Sequence, residues 1–167
     1  MVHVGQRFAC VKVLGRANFT LSVDFQTLVS ELRRRGFALF VIDLAECALM
    51  DSTFLGALAG LGLRCCQSAG EAETGSVQLL NPNERVTELL ENLGALHLFR
   101  VARGPLALPE AMEACAHEPA RPSREQVVRA CLEAHETLMA INPQNVARFK
   151  DVTKFLAEDL QKLKAGG

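Results

Sequence analysis

A chain of 167 residues, 49% hydrophobic and 22% charged, has the composition of one globular domain with an appendage and excludes a disordered chain. Lysine and arginine total 18 against 19 for aspartate and glutamate, so no overall field draws the protein to nucleic acid or to an anionic membrane surface. The longest apolar run, Phe54 to Leu63, is well short of the ~18–20 residues of a membrane helix, which argues against membrane insertion.

In chain order, the amino terminus Met-Val-His-Val-Gly-Gln-Arg-Phe has no basic region leading into an apolar stretch, and no secretory leader is expected. Phe8 to Leu14, bounded by Gly5 and Gly15, reads as a strand, with Val2 to Val4 pairing beside it. From Thr20 the period changes, because Leu21, Phe25, Leu28, Val29 and Leu32 recur every three or four residues until Gly36. That spacing predicts an amphipathic helix whose last turn carries Arg33, Arg34 and Arg35, cations that complement the helix dipole. Ala38 to Leu44, Ala-Leu-Phe-Val-Ile-Asp-Leu, is a continuous apolar stretch up to Asp43, the pattern of a central strand covered on both faces.

A second helix is expected from about Ser52 to Ser68, stopping at Gly70, followed by a polar loop from Glu71 to Gly75. Its first ten residues are apolar apart from Ser52 and Thr53. A helix apolar on all sides is enclosed or presents one face to a partner, so a docking surface beside Ser52 is expected. Ser52 itself suits a helix cap whose hydroxyl accepts a first-turn N–H. Val77 to Leu80 predicts a third strand, and Asn81-Pro82 a cap and first-turn proline before a helix carrying Val86, Leu89, Leu90 and Leu93. Gly94 closes that helix, and Leu96 to Val101 reads as a short strand or edge segment. Alternating strands and helices predict a mixed or largely parallel sheet with helices packed on it, ending near Arg103.

Residues 104–122 read as a connector punctuated by Gly104, Pro105, Pro109, Pro119 and Pro122, with room for a short helix from Glu110 to Cys115. Residues 123–167 are purely helical in pattern. Ser123 caps with Gln126 three residues on, and Val128, Cys131, Leu132, His135, Leu138 and Met139 form one stripe. Asn142-Pro143 breaks the helix, and Val146, Phe149, Thr153, Leu156, Leu160 and Leu163 form a second seam. The two seams fit a helical hairpin folded onto the first domain. A self-association surface is the alternative.

None of the six cysteines, Cys10, Cys47, Cys65, Cys66, Cys115 and Cys131, makes a CxxC or other metal spacing, so reduced thiols, a cytoplasmic location and no metal or cofactor are expected. No phosphate loop, dinucleotide fingerprint or paired-carboxylate motif is present. A triad of Ser52, His97 and Asp43 can be written, but no nucleophile elbow or oxyanion loop accompanies it. An enzyme is therefore not expected.

The segment VIDLAECALMDSTFLGAL, Val41 to Leu58, resembles the STAS domain of anti-sigma factor antagonists, with an apolar strand ending Asp-Leu, an Asp-Ser-Thr turn and a glycine-containing helix. LLNPNERVTELLENLGALHLF, Leu79 to Phe99, resembles the later strand, Asn-Pro turn and helix of that family, and the likeness spans about residues 2–103. The resemblance implies an α/β fold, a mixed four- to five-stranded sheet with helices mainly on one side, here extended by the helical hairpin. It implies no catalysis. It implies partner switching, in which the unmodified protein binds an anti-sigma factor that is also a serine kinase, phosphorylation releases it, and a phosphatase reverses the modification. Carried over by motif, Ser52 is the phosphate acceptor with Thr53 a weaker one, and Asp51, Ser52, Thr53, Phe54, Leu55, Gly56 and Leu58 form the partner-binding face. Related STAS domains act as scaffolds without phosphorylation, so an assembly module that self-associates through its C-terminal helices as a homo-oligomer stands as the alternative.

Overall fold

A computed structural model of the chain describes residues 2–4, 8–68, 77–105, 113–115 and 121–165. Its main sheet has six strands in the order β7-β6-β4-β2-β1-β8. β2 (Phe8–Lys12), β4 (Leu39–Asp43), β6 (Val77–Leu80) and β7 (Arg100–Ala102) run parallel, and β1 (Val2–Val4) and β8 (Glu113–Cys115) add antiparallel edges. The first five of these come from residues 2–103, as the sequence implies. The sixth departs from it, because Glu113–Cys115 pairs with β1 as a strand where a helix from Glu110 to Cys115 is expected. Tertiary pairing outweighs helix propensity in so short a segment. Residues 110–112, Gly70 and the Glu71–Gly75 loop lie outside the described residues.

The side-chain period of two sorts the sheet into two faces. Ala9, Val11, Phe40, Ile42, Val77 and Leu79 share one buried cluster with helical residues, whereas Cys10, Val41 and Leu80 form a smaller cluster with Phe8 and Ala102 on the other face. Burial and the Asp43 carboxylate push the Cys10 thiol up to about 11. The helix-bearing face takes α1 (Phe19–Arg34), α2 (Ser52–Ser68) and α3 (Glu84–Asn92), and Leu138 of α4 (Arg124–Ile141) joins the same cluster. In α2 alone, Phe54, Leu55, Leu58 and Leu61 are fully buried, worth about 1.5–3 kcal/mol each.

A second, two-stranded parallel ribbon joins β3 (Gly15–Ala17) to β5 (Cys47–Met50). Gly15 sits at φ 67°, a left-handed conformation open to glycine. Asn83 rather than Asn81 caps α3, its side chain accepting from the N–H of Val86 at 2.9 Å; Asn81 adopts φ 53° and exchanges hydrogen bonds with Gly104. α4 opens on the capping box of Ser123 and Gln126, and α5 (Gln144–Ala165) folds back along it. The turn between them is pinned by Asn145, fully buried, which donates to the carbonyls of Leu93 at 2.9 Å and Leu138 at 2.8 Å.

Candidate functional site at the start of the second helix

The β3–β5 ribbon sets two helices side by side, since β3 feeds α1 and β5 feeds α2. Their N-termini meet at Asp51, whose backbone N–H donates to the carbonyl of Ala17 at 2.9 Å. One carboxylate oxygen accepts from the N–H of Phe54 in α2 and the other from the N–H of Phe19 in α1, each at 2.8 Å. A single anion thus satisfies an orphan donor on both helices and faces the positive end of both dipoles. The cap of α2 is therefore Asp51, a correction to the expectation that Ser52 caps it.

Freed from capping, Ser52 is the first residue of α2 and is half-buried. Its hydroxyl lies 3.1 Å from Nε2 of His135 in α4. Nδ1 of the same ring lies 2.7 Å from the carbonyl oxygen of Cys131. A carbonyl only accepts, so Nδ1 carries the proton and, in the neutral ring, Nε2 accepts the Ser52 O–H. The ring also packs on Phe149 of α5, with centroids 4.8 Å apart. One residue on, Thr53 is buried and its hydroxyl donates to the Cys131 sulfur at 3.9 Å. Burial pushes the Cys131 thiol above its ordinary range.

α4 runs directly over α2. A Cβ at Gly56 would collide with the Ala134 carbonyl oxygen, so the two backbones touch where both residues are small. Phe54, Leu55, Gly56 and Leu58, expected on an exposed partner-binding face, are all buried. Phe54 packs on Phe25 of α1 with ring centroids 5.0 Å apart. The open docking face is thus corrected: in this conformation one side of α2 meets the sheet and α1, and another meets α4. Of the seven residues expected at the site, only Asp51 and Ser52 keep intermediate exposure.

The written triad is not assembled in that form. His97 is exposed on the 3-10 turn Leu96–Leu98, and Asp43 accepts from the N–H of Ala45 at 3.1 Å. The histidine that reaches Ser52 is His135, which the sequence places in an apolar stripe. The usable signal was a polar ring inside a buried stripe, which requires a partner. Beside the corner, an open cleft of about 440 Å³ runs between α1, α2 and α4, lined by Gln26, Ser30, Gly60, Arg64, Glu133 and Thr137 among others. Burial and the neighbouring Arg33 lower the Arg64 pKa. Among the described residues no cluster of three or more histidine, cysteine or acidic side chains could hold a metal, and no helix is long and apolar enough to cross a membrane.

No protein-family model matches the sequence, and no curated protein matches it significantly. Solved structures do match the fold. One is a proposed anti-sigma factor antagonist, tm1081 of Thermotoga maritima, with a TM-score of 0.55 at 16% identity over 64% of this chain and 87% of that one. The chain has the STAS fold. A second STAS structure, the anti-sigma factor antagonist SpoIIAA in its unphosphorylated form, matches with a TM-score of 0.52 at 17% identity over 61% of this chain and 86% of that one.

Proposed function

We propose that this chain is a partner-switching regulator of the anti-sigma factor antagonist type, controlled by phosphorylation of Ser52, with an anti-sigma factor serine kinase as its partner and a phosphatase as the reversing enzyme. The observation that carries the reading is the Asp51–Ser52 corner, where a half-buried hydroxyl stands at the first turn of α2 beside a carboxylate already bound to both helix N-termini. Phosphorylation forms an Oγ–P bond and breaks the terminal phosphoanhydride of a nucleoside triphosphate. The diphosphate leaves, and the hydroxyl proton passes to the kinase's base. The product carries about 1.5–2 negative charges at neutral pH, set against Asp51 at the edge of an apolar helix. Each ~1.4 kcal/mol of resulting repulsion or desolvation changes an affinity tenfold, so one modification suffices to switch a micromolar complex. SpoIIAA, which shares the fold, was solved specifically in its unphosphorylated form. That distinction supports the same chemistry here, and a cytoplasmic setting follows from such partners.

The test is affinity capture from a lysate of the native cells with wild type and Ser52→Asp, both verified as folded by circular dichroism. A kinase-type anti-sigma factor that discriminates between the two supports the switch, and identical partner sets refute it.

One observation favours a second reading, an assembly module. On α5, Val152 and Phe155 are 38% and 66% exposed, while the seam residues Phe149, Thr153 and Leu156 turn inward. A self-associating protein would then sediment as a homo-oligomer that Phe155→Glu converts to monomer, with Ser52→Asp silent.

A further inference from the structure

Water can satisfy a half-buried serine hydroxyl, yet Ser52 faces an imidazole fixed from two sides. Nδ1–H of His135 donates to the Cys131 carbonyl at 2.7 Å, the ring packs on Phe149 with centroids 4.8 Å apart, and Nε2 stands 3.1 Å from Oγ of Ser52. With Nδ1 committed as a donor, Nε2 is the nitrogen that takes a further proton, and taking it disturbs neither the Nδ1 bond nor the ring's position. The ring is only 7% exposed, and a charge so enclosed persists only beside a counterion. Around it, Ser52 and the Cys131 carbonyl bond the two nitrogens and uncharged Phe149 faces the ring. The nearby anion is Asp51, next in the chain to Ser52, whose charge also reaches the Cys131 thiol.

We propose that His135 is the counterion of phosphorylated Ser52: the ring takes a proton at Nε2, pairs with the phosphate across the junction of α2 and α4, and so sets how long the modification lasts. The inference rests on the phosphoswitch reading for the presence of the phosphate, and deepens it. The hydroxyl proton leaves with the kinase's base and the second ring proton comes from solvent, so a neutral hydrogen bond becomes a charge-assisted one. Ser52 keeps intermediate exposure, which lets the phosphate stand toward solvent while one of its oxygens takes the hydroxyl's place at Nε2. Asp51 cannot turn away, because both its oxygens are bound to helix N–H groups. The phosphate thus stands between a fixed anion and a fixed base, and its charge is balanced on the His135 side. α4 stays in place, with Leu138 in the main core and Ala134 against Gly56, and the fold is kept. A phosphatase must draw the phosphate out of this pair, so the pairing slows its removal.

Phosphoserine installed in place of Ser52 in the full chain by nonsense suppression supplies the modification without the native kinase. Nitrogen NMR of isotope-labelled histidine rings at about pH 8, where an ordinary imidazole is neutral, then reads His135 in the unmodified and the phosphorylated protein. The expected result is an unprotonated Nε2 in the unmodified chain and protons on both ring nitrogens in the phosphorylated one. Alkaline phosphatase should also release phosphate about tenfold faster from phosphorylated His135→Phe than from phosphorylated wild type, a factor that corresponds to ~1.4 kcal/mol. Circular dichroism verifies each chain as folded, and if His135→Phe does not fold, the NMR comparison decides on the wild-type sequence alone. A ring that stays neutral beside the phosphate, equal release from the two folded chains, or loss of the wild-type fold on phosphorylation would overturn the proposal. The phosphoswitch fails separately. Phosphate on Ser52 in native cells beside a neutral ring keeps the switch and removes the counterion, and a protonated ring in a chain never modified in cells does the reverse.

Discussion

Ser52 and His135 stand 83 positions apart in the chain and 3.1 Å apart in space. Through that contact the first turn of α2 is wired to α4 of the C-terminal hairpin. The pair is expected to be energetically coupled. In a double-mutant cycle with Ser52→Ala and His135→Phe, the latter retaining a ring against Phe149, urea unfolding should give a coupling of about 1 kcal/mol, the net value of such a hydrogen bond. Additive effects would mean that the contact contributes nothing to stability.

Asp51 holds two helices with one carboxylate. Asp51→Ala should cost about 2 kcal/mol, at the upper end for a helix cap because two N–H groups lose their acceptor. Asp51→Asn, which keeps one carbonyl oxygen and turns an N–H₂ toward the other helix, should fall between wild type and alanine. Chemical denaturation midpoints decide it, and an alanine variant indistinguishable from wild type would contradict the bridging role.

Two glycines on α2 should respond in opposite ways to the same added methyl. At Gly56 it would collide with the Ala134 carbonyl, a backbone group that moves only with α4, so Gly56→Ala should destabilise by about 1–3 kcal/mol. At Gly60 the nearest atom is the Arg64 guanidinium nitrogen at 3.2 Å, the end of a long side chain. Gly60→Ala should therefore be neutral or stabilising by up to ~1 kcal/mol through helix propensity. Thermal melts of the two variants provide the comparison.

Asn145 is the buried pin of the hairpin turn, and its amide donates to two carbonyls. Asn145→Ala should cost about 1–3 kcal/mol, because the Leu93 carbonyl loses the side-chain donor and the Leu138 carbonyl is left with the Asn142 N–H alone. Asn145→Asp should cost more, since a carboxylate there faces two carbonyl oxygens. Equal stability of the aspartate variant and wild type would show that the turn is not packed as described.

Acid should leave Glu31 charged well below its ordinary value of 4.5. Arg34 and Arg35 donate to it and hold its pKa at about 2 against an ordinary 4.5. A depressed carboxylate pKa contributes stability that is present above the unfolded value and lost as pH falls through the folded one. The ion pairs at the end of α1 should thus persist below pH 4.5 and disappear near pH 2. Carboxyl-carbon NMR of Glu31 checks this; a midpoint near 4.5 would show the pairs to be absent in solution.

Much of the sheet and of the principal helices was legible because their patterns are local. Val77–Leu80 and Leu39–Asp43 are segments of strand length that are apolar except for Gln78 and Asp43, and Asn142-Pro143 marks the break between two amphipathic helices. The β3–β5 ribbon was not legible, since Gly15-Arg16-Ala17 is a strand only through its pairing with Cys47–Met50 and carries no periodicity of its own. Glu113–Cys115 misled for the same reason. At the site, the Asp-Ser-Thr corner could be read as a helix start, but the division of labour within it could not. Asp51 rather than Ser52 caps because the β3–β5 ribbon brings Phe19 within reach of its second oxygen, and His135 reaches Ser52 because α4 crosses at Gly56. Both depend on contacts between segments far apart in sequence, which leave no local trace.

The central claim is that Ser52 is a regulated position, and the most direct measurement is phosphopeptide mapping of the protein isolated from its native cells across growth and stress conditions. The account predicts phosphate on Ser52 in at least one condition, with Thr53, buried against Cys131, unmodified. A Ser52 that is unmodified in every condition, in cells where Ser52→Ala changes nothing, would contradict it.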